Sequence, residues 1–310
     1  MDWFVASIKK YVTEKVHNVY ILFIYSSLQL NYSYENSHMK LNFHKSFWEA
    51  PCNNPQDLNK LLKRTSDDGY AGTELFLPFF DIDTDTTLKA HAKLGLNIIA
   101  GIATQGDNLQ AHLKSMNAQI ERAVDFSPIL INSHTGRDIF SLEDNLILFE
   151  NALTLEQKYR VIITHETHRF RPTFSTFDTE KIIKALPELK LNLDISHWMV
   201  VHESDLSDQA SRLATIFPHV YHIHGRVGFE EGPQVSNPQD KLWAGHLENH
   251  VNLWQKVINI AKTRGHKNFT ITPEFGPFPY AHVQPNTQQP LTDIWAANNF
   301  IQQHLKDNLI

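Results

Sequence analysis

Cysteine, methionine and long apolar runs are scarce in this sequence, and two of these scarcities exclude a class of structure. A single cysteine, Cys52, among 310 residues excludes an intramolecular disulfide bond and a structural zinc site built from several thiolates. No apolar run approaches the roughly 20 residues that a membrane-spanning helix needs. The net charge of −6 at pH 7 argues against a nucleic-acid-binding protein that works through a broad basic surface.

Histidine, by contrast, is abundant. The chain holds 18 histidines but only four methionines, and twelve of the histidines lie between His134 and His282. If the protein binds a metal ion, we therefore expect imidazole and carboxylate ligands rather than thiolates. The alternative is that most of these histidines are ordinary surface or core residues, so each has to be judged by its position in the fold.

Residues 1–38 differ in composition from the rest of the chain. Three lysines precede a short apolar stretch over residues 19–25, and a polar segment follows. This order is loosely similar to a secretory signal, but no clear pattern of small residues marks a cleavage site. We therefore expect a poorly packed N-terminal extension that is not part of the fold, and a cytoplasmic protein. Export directed by residues 1–30 is the weaker alternative.

From residue 39 to residue 310, apolar runs of strand length alternate with amphipathic helical patterns. The predicted strands span residues 40–47, 72–78, 97–103, 128–133, 160–167, 189–196, 220–226 and 268–275. The predicted helices span residues 55–66, 86–94, 109–125, 142–158, 179–186, 206–217, 246–264 and 293–305. Eight such repeats without a linker predict an α/β protein with one (β/α)8 TIM barrel. A doubly wound open sheet is less favoured, because residues 47–51 lack the glycine-rich turn that usually follows its first strand.

Polar residues end four consecutive predicted strands, where the catalytic groups of such barrels lie. Side chains alternate along a strand, so the polar residues of each strand end fall on one face, while His165 points towards the helices. Carboxylates at positions 166, 194 and 274 would repel one another inside an apolar barrel unless they are compensated. Pairing with arginine or histidine is one solution. A divalent cation held with one or two histidines is the favoured one, and oxygen and nitrogen ligands suit Mn²⁺, Mg²⁺, Co²⁺ or Zn²⁺.

These strand ends resemble those of the xylose-isomerase-like TIM barrels, a superfamily of sugar isomerases, ketose 3-epimerases and apurinic endonucleases. The resemblance covers residues 39–310. It is carried by residues 69–74 (GYAGTE), Glu166, residues 194–197 (DISH), residues 222–224 (HIH) and residues 272–276 (TPEFG). In the ketose 3-epimerase branch, one divalent metal ion is held by four ligands, which correspond here to Glu166, Asp194, His224 and Glu274.

The resemblance also implies a reaction. A sugar isomerase or epimerase of this kind removes the proton next to the carbonyl of a keto sugar and passes through a metal-stabilised enediolate. Glu166 and Glu274 would be the acid–base pair, and His222 would lie deeper in the barrel. Arg226 is the local candidate for the arginine that holds substrate oxygens, although it follows the strand more closely than in the epimerases. Residues 230–238 are an insertion relative to them.

Further residues are candidates for contacts with a small carbohydrate substrate. His197 corresponds to the histidine of the Asp-x-x-His motif, and His168 shares a strand face with Glu166. His134 follows the fourth strand and offers a polar group at the same edge. Trp48 and Trp198 follow the first and sixth strands, where an aromatic face can cover a sugar ring; the alternative for each is that it caps the barrel.

Other reactions use the same scaffold. A dehydratase or a lyase acting on an oxidised sugar also abstracts a proton next to a carbonyl, and the sequence does not separate these from an isomerase. An apurinic-endonuclease-like zinc phosphodiesterase is less favoured, because it needs further histidines after earlier strands and a basic surface for DNA. We therefore expect no nucleic-acid or membrane partner. The sequence leaves the oligomeric state open, a homo-oligomer included.

Overall fold

The structure is a computed structural model, and it describes residues 39–50 and 52–309. Eight parallel strands form a closed barrel in chain order, and the first strand pairs with the eighth through Lys40 beside Asn268. This arrangement confirms the predicted (β/α)8 barrel. The strands are β1 (Lys40–Ser46), β2 (Gly72–Phe76), β3 (Asn97–Ala103), β4 (Leu130–His134), β5 (Ile163–Glu166), β6 (Lys190–Leu193), β7 (Val220–Gly225) and β8 (Asn268–Pro273).

Helices follow every strand and surround the barrel. Most begin at a side chain that accepts a backbone N–H of the first turn, as Asn54, Asp83, Asn108 and Asp293 do. The helices of the described residues are α1 (Pro55–Asp67), α2 (Thr84–Leu94), α3 (Leu109–Asp125), α4 (Leu142–Tyr159), α5 (Thr176–Ala185), α6 (Ile195–His202), α7 (Ala210–Ile216), α8 (Ala244–Thr263) and α9 (Ile294–Asn308).

Several helix bounds differ from the predictions. α5 begins at Thr176 rather than at residue 179, because Ser175 caps it: the Ser175 hydroxyl accepts the Asp178 N–H at 3.0 Å. α6 was not predicted as a helix, since the sixth strand was expected to continue to residue 196, but it begins at Ile195, directly after Asp194. The expected extension over residues 1–38 lies outside the described residues.

The apolar core lies between the strands and the helices. One cluster of buried side chains joins Leu75, Ile98 and Ile131 from the strands to Leu62 and Ile120 from the helices. Burying each such side chain stabilises the fold by roughly 1.5–3 kcal/mol. His165 faces this layer as predicted, with its ring 4.9 Å from that of Phe149 in α4. None of the described helices combines the length and apolar character needed to cross a membrane.

Candidate metal centre and active site

The ends of β5 to β8 bring three carboxylates and one imidazole together. Glu166 is the last residue of β5, Asp194 follows β6, His224 lies in β7 and Glu274 follows β8. One possible ligand atom from each of these four residues lies within 4.8 Å of the others. The four side chains therefore converge, as their alternation along the strands predicted. The distances between their possible ligand atoms suit donors around a single cation.

The imidazole of His224 lies between two sets of carboxylates. Its Nδ1 atom is 2.9 Å from Glu274 Oε2 and 3.4 Å from Glu166 Oε2, yet it makes no hydrogen bond of acceptable geometry. Burial lowers the pKa of His224, but the charges of Glu274, Glu74 and Glu166 outweigh it and hold that pKa well above its ordinary value. The Nδ1 atom of His224 is buried, faces carboxylates and makes no hydrogen bond. Because the surrounding carboxylates favour positive charge at this point, the atom fits the role of a metal ligand.

Asp194 has two different partners for its two oxygens. Oδ1 caps α6 by accepting the Ser196 N–H at 2.9 Å, while Oδ2 contacts the guanidinium of Arg226. Burial raises the pKa of Asp194, and the Arg226 charge opposes that rise. Arg226 NH2 is also 3.5 Å from Glu274 Oε2. The Arg226 guanidinium therefore compensates the negative charge of Asp194 and Glu274. It also lines the cavity, where it was expected to hold substrate oxygens.

Glu166 is enclosed by hydrogen-bonding and cationic groups. His134 Nε2 lies 2.7 Å from Glu166 Oε2, and the Asn132 amide donates to the same oxygen at 3.1 Å. Burial alone would raise the pKa of Glu166, but its electrostatic interactions and hydrogen bonds with His134 and His224 hold that pKa well below its usual range. Glu166 is therefore ionised at neutral pH, as a metal ligand or a general base must be.

Glu74 of β2 is a buried carboxylate of this site to which sequence reasoning assigned no role. Its Oε1 lies 3.0 Å from His224 Nε2, its Oε2 lies 3.2 Å from His222 Nε2, and the Asn132 amide donates to Oε1 at 3.1 Å. Burial opposes the charge of Glu74, yet His224 and His222 keep its pKa well below the ordinary value. Glu74 thus holds the ring of His224 with its Nδ1 atom towards the other carboxylates. The sequence signal was its place in the resemblance motif, in the middle of β2.

The expected substrate contacts have mixed outcomes. His168 and His134 both line the cavity, with ring centroids 4.8 Å apart. His197 is fully buried instead, and it accepts a hydrogen bond from Arg169 Nε at 3.1 Å and lies 3.0 Å from Arg226 NH2. The expectation for Trp198 was wrong: its side chain is fully buried, and its indole N–H donates to the Thr173 carbonyl at 3.0 Å.

Trp48 lies at the cavity, where the sequence placed it. Its ring meets that of Tyr280 edge to face at a centroid distance of 5.3 Å. Gly276 makes this position possible, because a Cβ atom there would lie 2.3 Å from the Trp48 ring. The glycine after Glu274 therefore lets an indole pack directly against the backbone that follows β8.

The cluster opens into a cavity of about 220 Å³. This is smaller than the roughly 300–1,000 Å³ of pockets for drug-sized ligands, so the cavity suits a single sugar unit rather than an oligosaccharide. One part of the wall carries the charged residues described above. The other part is aromatic and consists of Trp48, Phe76, Phe79 and Tyr280.

Solved structures with the same fold belong to proteins that are described as enzymes of different kinds. A D-allulose 3-epimerase from Methylomonas sp. in complex with D-allulose superposes with a TM-score of 0.60 at 13% identity, over 87% of this chain and 98% of that chain. The probable 3-DHS dehydratase of petrobactin synthesis from Bacillus anthracis gives 0.56 at 14% identity, over 86% and 99%. Endonuclease IV from Thermus thermophilus gives 0.54 at 13% identity, over 86% and 99%.

Sequence comparison adds nothing to these structural likenesses, because no family model and no curated protein matches the chain. At such low identity, a structural match shows a common fold and leaves the reaction to be argued from the site. Another matched structure, from Mycobacterium smegmatis, is described as a xylose isomerase-like TIM barrel protein. The chain therefore has the fold of the xylose isomerase-like TIM barrels.

Proposed function

We propose that this protein is a divalent-metal-dependent sugar isomerase or epimerase that acts on a keto sugar or a close derivative, and that residues 39–310 form its catalytic domain. The observation that carries the proposal is the group of three carboxylates and His224, whose candidate ligand atoms lie within 4.8 Å of one another, together with a His224 Nδ1 atom that makes no hydrogen bond. Carboxylates this close repel one another, and a cation at their centre relieves the repulsion.

The ligands would be Glu166, Asp194, His224 and Glu274, and oxygen and nitrogen donors of this kind suit Mn²⁺, Mg²⁺, Co²⁺ or Zn²⁺. When bound, such an ion acts as a Lewis acid that polarises a carbonyl and stabilises negative charge on its oxygen. Glu74 holds the His224 ring through Nε2, the kind of support that histidine ligands commonly receive from a carboxylate.

Glu166 and Glu274 would move the proton next to the carbonyl. Glu166 ends β5 and Glu274 follows β8, so they reach the cavity from different sides of the barrel. The side chain of Glu274 is 14% exposed and that of Glu166 is 1% exposed, which makes Glu274 the more accessible of the two. One carboxylate removes the proton and the other returns it, and general acid–base catalysis of this kind contributes about 10²–10⁴-fold.

The remaining cavity residues would bind the sugar. The imidazoles of His168 and His134 can hydrogen-bond hydroxyl groups, while Trp48 and Tyr280 offer aromatic faces to the apolar side of the ring. His197 acts on the site from behind, because it contacts Arg226 rather than the cavity. Arg226 stabilises Asp194 and lies within reach of a substrate oxygen.

A dehydratase or lyase shares the first proton abstraction, so the products have to separate these reactions. The endonuclease alternative receives less support from the site. After β3 the chain continues with Thr104 and Gln105, which are not zinc ligands, and His134 at the end of β4 is 2.7 Å from Glu166. The end of β3 therefore lacks the histidine that three zinc ions would require there, and the end of β4 offers only His134.

The test measures bound metal first and proton exchange second. The purified protein is analysed for metal content and then incubated in D₂O with a panel of keto and oxidised sugars, with and without added Mn²⁺. NMR follows exchange at the carbon next to the carbonyl and identifies the product. We expect metal-dependent exchange that Glu274→Gln abolishes and that Glu156→Gln, a change in α4 away from the cavity, leaves intact. Absence of metal binding and of exchange on every sugar would contradict the proposal.

A further inference from the structure

A second cavity, of about 150 Å³, adjoins the one that contains the carboxylates. The two share part of their walls, because Trp48, Phe76 and Phe79 line both. These three rings therefore border both cavities, so a molecule held by the carboxylates of the first cavity lies beside the second.

The second cavity is lined mostly by aromatic rings, together with Ala50, Cys52 and Asn53, and carries no charge. Phe47 and Phe80 join the three shared rings, and no carboxylate, ammonium, guanidinium or imidazole group of the described residues lines it. The thiol of Cys52 also lies there, and burial together with the Asp57 charge raises its pKa to about 11, so the thiol is neutral. Such a lining suits a flat, uncharged group and disfavours a phosphate or a carboxylate.

Phe79 forms a wall of the second cavity that is exposed to solvent. It belongs to a short 3-10 turn, Leu77–Phe79, directly after β2, and it is 81% exposed. The turn is held in place by Arg122 of α3, whose guanidinium donates to the Leu77 carbonyl at 3.0 Å and to the Phe80 carbonyl at 2.6 Å. Phe79 therefore presents an exposed aromatic ring at the border of both cavities, on a turn whose backbone is held by Arg122.

We propose that the second cavity is a subsite for an aromatic or other flat apolar substituent attached to the sugar, so that the substrate is a glycoside of an apolar alcohol or phenol, with its ketone on a carbon other than the anomeric one, rather than a free sugar. An apolar cavity of roughly this volume can hold a benzene ring. The sugar lies against the carboxylates, and its substituent stacks on Phe79, Phe76 and Trp48. This inference rests on the proposed function only in placing the sugar unit in the first cavity.

Binding of phenyl D-glucosides tests the subsite. Isothermal titration calorimetry on the Mn²⁺-loaded protein compares the phenyl β- and α-glucosides with the methyl glucosides of the same configuration. These probes carry no carbonyl, so their binding is measured without turnover. We expect one phenyl anomer to bind about tenfold more tightly than its methyl counterpart, since stacking on aromatic rings has this magnitude.

Two variants assign the preference to its source. Phe79→Ala should abolish the preference for phenyl, and its folding is not in doubt because the ring is largely exposed. Phe278→Ala, which removes another exposed ring that lines neither cavity, should keep it. Equal affinity for phenyl and methyl glucosides, no binding of any of them, or a preference that survives Phe79→Ala would overturn the proposal. Failure of proton exchange alone would reject the isomerase proposal and leave the phenyl preference standing.

Discussion

Replacing Glu74 with glutamine tests whether this carboxylate positions His224 for a metal ion. The change keeps the size of a side chain that is only 6% exposed, and it removes one negative charge. Because the Asn132 amide donates to Oε1, the glutamine oxygen should stay on that side, still 3.0 Å from His224 Nε2. The new NH₂ group then faces His222 Nε2, where a donor would meet a donor unless the ring changes tautomer.

The main loss is the charge of Glu74 beside His224. That charge is among the groups that raise the pKa of His224 and make it a more basic ligand. Loss of a carboxylate behind a histidine ligand typically lowers metal affinity by 10–100-fold, or about 1.4–2.7 kcal/mol. We therefore expect Glu74→Gln to bind Mn²⁺ 10–100-fold more weakly at pH 7.5, with an unchanged circular dichroism spectrum.

Calorimetric titration with Mn²⁺ measures this loss without reference to any substrate. Glu156→Gln is the control, because Glu156 pairs with Lys190 outside the cavity. A dissociation constant for Glu74→Gln within about threefold of the wild-type value would refute the positioning role, as would an equal loss in the control. Either result would mean that the contacts of Glu74 with His224 and His222 serve the packing of the barrel.

Three further predictions concern the rest of the fold. Burial lowers the pKa of His250 from 6.5 to about 4, so the stability that the neutral imidazole allows is complete above pH 6.5 and is lost as the pH falls towards 4. Between these two pH values, urea unfolding should show that the free energy of unfolding of His250→Gln falls by about 1.4 kcal/mol less per pH unit than that of the wild type. Trp198→Phe should lower the free energy of unfolding by about 1 kcal/mol and leave sugar affinity unchanged in calorimetry, and a weakened affinity would restore Trp198 to the site. Arg226→Gln leaves Asp194 without its cation, so the free energy of unfolding of the metal-free protein should fall by about 3–5 kcal/mol. Mn²⁺ should then raise the melting temperature of the variant more than that of the wild type. An equal rise in both would argue against the idea that Arg226 and a metal ion both compensate the charge of Asp194.

The strand ends were predictable because alternation along a strand depends only on the sequence. Glu166 and Glu274 each fall in phase with the polar residues before them, and the closed barrel brings their strands round one axis. Trp198 was placed wrongly because α6 starts at once after Asp194, and its buried, mostly apolar residues resemble a strand end followed by a loop. The helix turns the indole towards Thr173.

The pairs of charged side chains that meet across the barrel could not be predicted from the sequence, for another reason. Arg226 and Asp194 are 32 positions apart, and Glu74 and His224 are 150 positions apart, so no local pattern records which cation meets which carboxylate. A buried carboxylate needs some partner. Only the fold decides whether that partner is an arginine, a histidine or an ion.

Asp194 ties the start of a helix to the chemistry of the barrel. Because its Oδ1 accepts the Ser196 N–H, the same side chain belongs to the first turn of α6 and to the carboxylate cluster. Hydrogen exchange in the first turn of α6 should therefore slow when the site gains a cation. Alanine at this position would loosen the helix as well as remove a charge, whereas asparagine would keep the cap and separate the two effects.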